Sequence, residues 1–225
     1  MSKISSSIVS KRLFGDIIEL ICLRPPGFMF TPGQFVDIYS KEDRDMCRPY
    51  SIASGTNQDC ITFLIKRLEN GKLTNEIFND WTNGDTIQFS EPMGFFTVGQ
   101  TNKKIVCIST GTGIAPFISY MKSIESDTTE LGTNFDKCIA GFRYVDEVMI
   151  SNPQVQLCIT ADDCPDEWSN VHKGRVTQYL EENQVDTKCM YYLCGVDEML
   201  SDVTDLLVSK DVPVENIMLE VFYFK

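Results

Sequence analysis

The sequence predicts a two-domain protein, an antiparallel β-barrel followed by an α/β domain with a parallel sheet. Residues 4–98 consist of short strand-forming segments separated by turn residues, which is the pattern of a small barrel. From Lys103 onward, strand-forming and helix-forming segments alternate, which is typical of a parallel α/β layout. The 225 residues are enough for two small domains, which we place at 1–99 and 100–225.

Composition and charge argue against several classes of protein. With 43% apolar and 23% charged residues, the chain has the composition of a globular protein. Its net charge of −12 disfavours binding to nucleic acid and to anionic membrane surfaces. No apolar run approaches the ~18 residues that span a bilayer, and the first residues lack the apolar core of a signal peptide. We therefore expect a cytoplasmic protein without a membrane span, and we expect it to be a monomer.

The cysteines and the single histidine argue against a metal site. Nine cysteines are an odd number, so they cannot all pair within the chain. No Cys-x-x-Cys occurs, and His172 is the only histidine, so neither an iron–sulfur or zinc site nor a catalytic triad is expected. Cys107, Cys138 and Cys158 lie in apolar segments and are expected to be buried.

The elements of the first half are predicted from turn residues and from periodicity. Pro25-Pro26-Gly27 and Thr31-Pro32-Gly33 mark turns, and the segment after them alternates polar and apolar residues, as in a strand with one buried face. A short helix from Thr74 to Trp81 interrupts the strands. The predicted strands are 17–23, 34–39, 48–53, 61–67 and 86–89.

The elements of the second half are predicted in the same way, with the longer period of helices between the strands. The last predicted helix carries an apolar face with helical spacing, formed by Met199, Leu200, Val203, Leu206 and Leu207. The predicted strands are 105–109, 137–142, 155–160, 190–194 and 217–223, and the helices are 114–124, 176–182 and 197–209. Ligands in such sheets bind at the carboxyl ends of the strands.

Two stretches of the barrel have residue types that suit a phosphate-bearing planar ligand. In Arg48-Pro49-Tyr50-Ser51, Arg48 and Tyr50 share one face of a strand, so a guanidinium that pairs with phosphate lies beside a ring that can stack. In Gly71-Lys72-Leu73-Thr74, a helix that begins at Thr74 would offer a hydroxyl and free N–H groups to an anion. The first pattern is also explained by an exposed strand with a surface arginine. The second is also explained by an ordinary threonine cap.

The stretch Ile105–Phe117 combines a strand, a turn and a helix. Its turn, Thr110-Gly111-Thr112-Gly113, contains two glycines that allow a sharp bend, and the next helix would point its free N–H groups at an anion. Pro116 stands where the dinucleotide fingerprint would have glycine, so the motif also fits an ordinary strand–turn–helix.

Five motifs in this order resemble the ferredoxin–NADP reductase family, and most closely its compact bacterial members. They are Arg48-Pro49-Tyr50-Ser51, Gly71-Lys72-Leu73-Thr74, Gly94-Phe95-Phe96, Gly111-Thr112-Gly113-Ile114-Ala115-Pro116 and Tyr192-Leu193-Cys194-Gly195. The resemblance covers nearly the whole chain. It implies a barrel that binds FAD, an α/β domain that binds NAD(P), and electron exchange with a carrier of the ferredoxin or flavodoxin type.

The resemblance also implies roles for individual residues. Arg48 would pair with the FAD pyrophosphate, Tyr50 would stack on the flavin, and Ser51 would bond near the flavin nitrogen that accepts hydride. Cys194 would lie beside the nicotinamide, and Glu220 would lie by the flavin. An aromatic near the C-terminus would shield the flavin, a role open to Phe222, Tyr223 and Phe224. The remaining predicted cofactor-binding residues are Pro49, Ile65, Gly71, Lys72, Leu73 and Thr74 for FAD, and Thr110, Gly111, Thr112, Gly113, Pro116, Arg143, Arg175, Gly195 and Asp197 for the nucleotide.

Two departures leave questions open. Arg143 and Arg175 favour NADP(H), and Lys173 could assist them, whereas Asp162 and Asp163 after the third strand favour the free ribose diol of NAD(H). A reductase of net charge −12 would repel an acidic carrier, unless a local basic face that includes Lys66, Arg67 and Lys72 receives it. The chain could therefore be a stand-alone reductase, an electron-transfer subunit of a larger complex or oxygenase system, or a binding module without turnover.

Overall fold

The computed structural model describes residues 3–97, 101–125 and 134–221. The chain forms two compact units. The first comprises Met1–Val98 and Ala115–Thr129, and the second comprises Gly99–Ile114 and Glu130–Lys225. The division of the chain into functional domains at residues 99 and 100 remains a prediction.

The first unit contains six antiparallel strands and a short helix among its described residues. The strands lie side by side in the order β4-β3-β6-β1-β2-β5. The elements are β1 (Ile4–Phe14), β2 (Ile17–Leu23), β3 (Phe35–Tyr39), β4 (Cys47–Ser51), β5 (Cys60–Lys66), α1 (Lys72–Asn79) and β6 (Thr86–Phe89).

The two outer strands of this sheet meet, which closes it into the predicted barrel. Just after β4, Ile52 forms an antiparallel bridge with Phe63 of β5. The N–H group of Ala53 donates to the carbonyl oxygen of Thr62 at 2.8 Å. The interior is filled by buried apolar side chains from every strand except β4, which contributes only the partly buried Tyr50, and from α1.

A buried carboxylate attaches α1 to the barrel. Glu76 is 6% exposed and accepts hydrogen bonds from the hydroxyl of Ser40, the N–H group of Lys41 at 2.7 Å and the indole nitrogen of Trp81 at 2.9 Å. Just beyond the C-terminal end of the helix, the Lys11 ammonium donates to the carbonyl oxygen of Trp81 at 2.7 Å. A carboxylate can be buried at modest cost only when its oxygens are bonded in this way.

The helix α2 (Ala115–Glu125) also packs within the first unit. The Ser119 hydroxyl donates to the carbonyl oxygen of Ser54 at 2.7 Å, and the Ser123 hydroxyl accepts from the N–H group of Thr56 at 3.0 Å. Small polar side chains thus attach one face of α2 to the loop after β4.

The second unit contains a parallel sheet, as predicted, with six strands among its described residues where five were predicted. The additional strand is β10, a three-residue edge strand that is too short to show periodicity. The elements are β7 (Ile105–Thr110), β8 (Phe135–Phe142), β9 (Val155–Ile159), β10 (Val171–Lys173), α3 (Val176–Glu182), β11 (Met190–Gly195), α4 (Asp197–Ser209) and β12 (Ile217–Val221).

The strand order of this sheet fixes where a ligand can bind. The order is β10-β9-β8-β7-β11-β12, so the chain builds outward from β7 in one direction and then returns to add β11 on its other side. The connections that follow β7 and β11 therefore lead to opposite sides of this pair of strands, and parallel sheets bind ligands at the carboxyl edge at such a point. Within the described ranges, no helix is long and apolar enough to cross a membrane.

We expect Glu76→Ala to lower the free energy of unfolding of the barrel by about 3 kcal/mol, because three buried donors lose their acceptor. Glu76→Gln keeps an acceptor oxygen and should lose less than half as much. The measurement is urea unfolding followed by Trp81 fluorescence in a Trp168→Phe background. Equal losses in the two variants would contradict the role given to these hydrogen bonds.

Candidate functional site

The strand β4 presents Arg48 and Tyr50 on one face, as the sequence predicted. Tyr50 lies opposite Val36 of β3, and Arg48 lies opposite the next residue of that face, whereas Ser51 lies opposite Phe35 on the other face. Side chains of directly opposed residues share a face in an antiparallel pair. The strand therefore carries both residues on one face, two positions apart.

The surroundings of these side chains differ. The Arg48 side chain is exposed, like its neighbour Pro49, and its Nη1 donates to the carbonyl oxygen of Cys47 at 2.8 Å. Tyr50 packs against the barrel core, and burial raises the pKa of its phenol. Ser51 is 5% exposed. The exposed guanidinium has further N–H groups to offer an anionic ligand such as a phosphate.

The helix α1 begins two residues earlier than predicted. Its cap is Gly71, so Thr74 occupies the third helical position and is not the cap. The Thr74 hydroxyl accepts from the N–H group of Leu68 at 3.3 Å and donates to the carbonyl oxygen of Gly71 at 3.1 Å. A Cβ on Gly71 would lie 2.4 Å from that hydroxyl, so the glycine allows the side chain to fold back. The anion donors of this segment are therefore backbone N–H groups of the first turn.

The flanking predicted residues differ in what they can offer a ligand. Lys72 is exposed and Leu73 is buried. Ile65 has no exposed surface and lies in the barrel core, so its side chain is fully used in packing.

The turn after β7 is tighter than predicted. A single 3₁₀ turn spans Gly111–Ile114, and α2 starts at Ala115 with Pro116 in its first turn, where proline costs no hydrogen bond. Gly111 has a φ of 53°, a conformation that favours glycine.

Gly113 brings this turn into contact with the end of β11. A Cβ at this position would lie 2.4 Å from the carbonyl oxygen of Cys194 and 3.0 Å from the Cα of Gly195. No side chain fits between these backbones, so only glycine allows the turn to approach so closely. Thr112 beside it is 5% exposed.

Three polar atoms at this edge are buried without hydrogen-bond partners among the described residues. They are Oγ of Ser109 and Oγ1 of Thr110, at the end of β7, and Oε2 of Glu220, on β12. Cys194 pairs with Glu220 between the strands, and both burial and the nearby carboxylate raise the pKa of its thiol. Burial raises the pKa of Glu220 to about 7. Orphaned buried polar atoms call for a partner, and the hydroxyl and amide groups of a nucleotide would supply one.

The residues that follow β11 are suited to hydroxyl groups. Gly195 ends the strand, and the exposed Asp197 begins α4 with a second acidic residue, Glu198, beside it. Carboxylates complement the positive end of a helix, and they would accept hydrogen bonds from ribose hydroxyls while repelling phosphate.

The predicted cations of the second unit have different partners. The Arg143 side chain is exposed, with its guanidinium 5.2 Å from the centre of the Tyr144 ring. Arg175 caps α3 and lies 3.9 Å from a carboxylate oxygen of Glu198. Lys173 forms a close ion pair with Asp163. Arg143 is thus the predicted cation whose charge has no carboxylate partner among the described residues.

The structure adds one residue that the sequence analysis did not single out, the buried Glu147, which accepts hydrogen bonds from the segment containing Arg143. Its position three residues after Tyr144, as in a capping box, was the available signal. The predicted aromatics Phe222 and Tyr223 lie outside the described residues.

We expect Glu220→Gln to be more stable than the wild-type protein at high pH. Because the pKa of Glu220 rises from 4.5 to about 7 on folding, the wild-type protein loses stability as pH increases through this range, when it must bury a charge. The variant carries no such charge. Urea unfolding of both proteins should show equal stability near pH 4.5, a gap that widens between pH 4.5 and about 7, and a constant gap at higher pH. The exposed Glu215→Gln is the control, and a gap independent of pH would contradict the prediction.

Two family models match the chain. An oxidoreductase FAD-binding domain matches residues 25–98, and an oxidoreductase NAD-binding domain matches residues 107–205. Among curated relatives, the toluate 1,2-dioxygenase electron transfer component of Pseudomonas putida is 25% identical over 202 residues, covering 86% of this chain and 59% of the relative. The reductase component of propane 2-monooxygenase from Mycolicibacterium smegmatis is 27% identical over 222 residues, covering 92% and 64%. The chain thus spans 64% or less of these two relatives.

Solved structures share the fold over the whole chain. The ferredoxin reductase in carbazole 1,9a-dioxygenase superposes with a TM-score of 0.83 and 23% identity, covering 99% of this chain and 70% of that one. A ferredoxin NADP⁺ reductase from Neisseria gonorrhoeae with bound FAD and NADP superposes with a TM-score of 0.81 and 20% identity, covering 99% and 100%. The motifs, the two matched domains and this fold agree, and the chain therefore belongs to the ferredoxin–NADP reductase family, in which an FAD-binding domain is joined to an NAD-binding domain.

Proposed function

We propose that this chain transfers hydride between a nicotinamide nucleotide and FAD, and single electrons to or from a carrier of the ferredoxin or flavodoxin type. The observation that carries the proposal is the presence of unpartnered buried polar atoms on Thr110 of β7 and Glu220 of β12, which flank β11 at the carboxyl edge of the sheet. Such atoms at a switch point are what a nucleotide-binding site requires.

We assign FAD to the domain of residues 1–99 and the nucleotide to residues 100–225. Arg48 would bind the FAD pyrophosphate, with backbone N–H groups of residues 71–74, while Tyr50 and Ser51 would contact the ring. FAD, when bound, supplies a ring that accepts one hydride, and thus two electrons, and releases the electrons one at a time. The protein's own contribution is to orient both ligands and, through Glu220, to hold a carboxyl group that titrates near neutral pH.

We propose NADP(H) as the preferred nucleotide. The Arg143 guanidinium is exposed and has no carboxylate partner among the described residues, so it is available to the ribose 2′-phosphate. Lys173 and Arg175, which could have assisted it, are opposed by Asp163 and Glu198. The preference therefore depends on Arg143.

The electron carrier could approach α1. Arg67 lies along this helix, where its guanidinium donates to the side-chain oxygens of Asn75 at 3.2 Å and Asn79 at 3.3 Å. Lys72 is exposed at the start of the same helix. These charges form a local basic surface that an acidic carrier could recognise despite the net charge of −12.

A second candidate function is that of an electron-transfer subunit in a larger complex or oxygenase system. The relatives favour it, because they are named as the electron transfer component of a dioxygenase and as the reductase component of a monooxygenase. Stoichiometric co-purification with a non-acidic partner would support this role. A cytoplasmic location, which is consistent with nine unpaired cysteines, and a monomeric state stay proposals.

The test of the main proposal is to add NADPH and NADH separately to the purified protein and to follow the flavin absorbance by stopped flow. We expect both the loss of flavin absorbance and a higher kcat/KM with NADPH. A protein that takes up no FAD, or whose flavin neither nucleotide reduces, would contradict the proposed function. Faster reduction by NADH would contradict only the choice of nucleotide.

We expect Arg48→Ala to raise the Kd for FAD by about tenfold or more, because a charge-assisted contact with phosphate is stronger than a neutral hydrogen bond. The measurement is a fluorescence titration of the flavin-free protein with FAD. The matched control is Arg44→Ala, which removes another exposed arginine just before β4. Unchanged FAD affinity in Arg48→Ala would show that this residue does not bind the pyrophosphate.

A further inference from the structure

The segment 143–147, which we call the Arg143 turn, follows β8 at the carboxyl edge of the parallel sheet. The buried carboxylate of Glu147, at the C-terminal end of this turn, accepts hydrogen bonds from the first two residues of the turn. Oε2 of Glu147 accepts the N–H group of Arg143 at 3.0 Å and that of Tyr144 at 3.2 Å, and Glu147 is only 3% exposed. A buried carboxylate bonded to backbone N–H groups fixes their position, because breaking these bonds would leave it desolvated without donors.

A second carboxylate holds the Arg143 turn from the neighbouring loop. Oδ2 of Asp162, which follows β9, accepts the N–H group of Val145 at 2.8 Å. The adjacent Ala161 donates its N–H group to the carbonyl oxygen of Arg143 at 2.9 Å. The loops after β8 and β9 are therefore joined by hydrogen bonds on both sides of Tyr144, and the backbone that carries Arg143 is fixed.

The side chains of this fixed backbone remain available. Arg143 and Tyr144 are both exposed, and the guanidinium lies 5.2 Å from the ring centre. A cation beside an aromatic ring, held on an immobile backbone, is suited to a ligand that carries an anionic group next to a planar base.

We propose that Asp162 and Glu147 are positioning residues that hold Arg143 and Tyr144 for the 2′-phosphate and adenine end of the nucleotide. This inference rests on the proposed function. It reverses the expectation from the sequence, in which Asp162 repels the 2′-phosphate. In the structure, the Asp162 carboxylate is bonded to a backbone N–H group, and its effect on binding comes through the Arg143 turn.

Asp162 could either repel the phosphate or position the Arg143 turn, and the two roles predict opposite changes in the affinity of Asp162→Ala for 2′-phospho-AMP. If the carboxylate mainly repels phosphate, Asp162→Ala binds 2′-phospho-AMP more tightly. If it positions the turn, Asp162→Ala binds this probe about tenfold more weakly, as expected when a hydrogen bond that orients a charged contact is lost. Asp162→Asn, which keeps an acceptor oxygen, should retain wild-type affinity. Calorimetric titration of the purified holoprotein measures all three.

A double-mutant cycle shows whether Asp162 acts through Arg143. Arg143→Ala alone should weaken 2′-phospho-AMP binding, and adding Asp162→Ala to it should cause a further loss no larger than the loss that Asp162→Ala causes for AMP. AMP, which lacks the 2′-phosphate but keeps the adenine, should bind Arg143→Ala with wild-type affinity and should lose less affinity in Asp162→Ala than 2′-phospho-AMP does. The control is Asp166→Ala, which removes the same charge from an exposed position further along the same loop and should leave the affinity for 2′-phospho-AMP unchanged.

Tighter binding in Asp162→Ala, additive losses in the cycle, or a loss in Asp162→Asn equal to that in Asp162→Ala would each overturn the inference. Because these titrations involve no hydride transfer, their outcome is separate from that of the flavin-reduction test. A protein that binds 2′-phospho-AMP as described but whose flavin is not reduced by either nucleotide contradicts the proposed function alone.

Discussion

The contact between the turn after β7 and the end of β11 is the constraint on which the parallel sheet's ligand edge depends. Gly113 lies so close to the Cys194 carbonyl group that any side chain would collide with backbone atoms. This close contact lies at the carboxyl edge of the sheet, beside the buried polar atoms of Thr110 and Glu220, which have no hydrogen-bond partners among the described residues. Gly113 belongs to a motif that is typical of a phosphate-binding loop, but it is required first for the packing of this turn against β11. The conformation in which the loop could bind a ligand follows from that packing.

The sequence predicted most of the fold because most elements are long enough to show a period. The predicted bounds of α3 and α4 match the structure, since each helix has a clear apolar face and a distinct start. Three elements were missed or misplaced. The strand β1 was not among the predicted strands, and β10 is too short to show alternation. The helix α1 begins at Lys72 because its cap is a glycine, whereas the prediction placed a side-chain oxygen cap at Thr74.

The candidate site was predictable where chemistry depends on residue type along one strand or turn. The shared face of Arg48 and Tyr50 follows from strand geometry alone, and the register confirms it. Roles that depend on which loops are adjacent in the folded structure were not predictable. Asp162 looked like a group facing the ligand, and its bond to the N–H group of Val145 requires two loops that are distant in sequence to be adjacent in space.

The distribution of charge partners explains how a chain of net charge −12 could bind anionic ligands. Acidic residues near the carboxyl edge are engaged locally, Asp163 by Lys173 and Glu198 by Arg175. At physiological ionic strength, exposed charges more than about 8 Å away are largely screened, so a phosphate responds mainly to its immediate neighbours. In the function that we propose, nucleotide choice therefore depends on whether one unopposed guanidinium is held in place, and the net charge is instead a constraint on the approach of a protein partner.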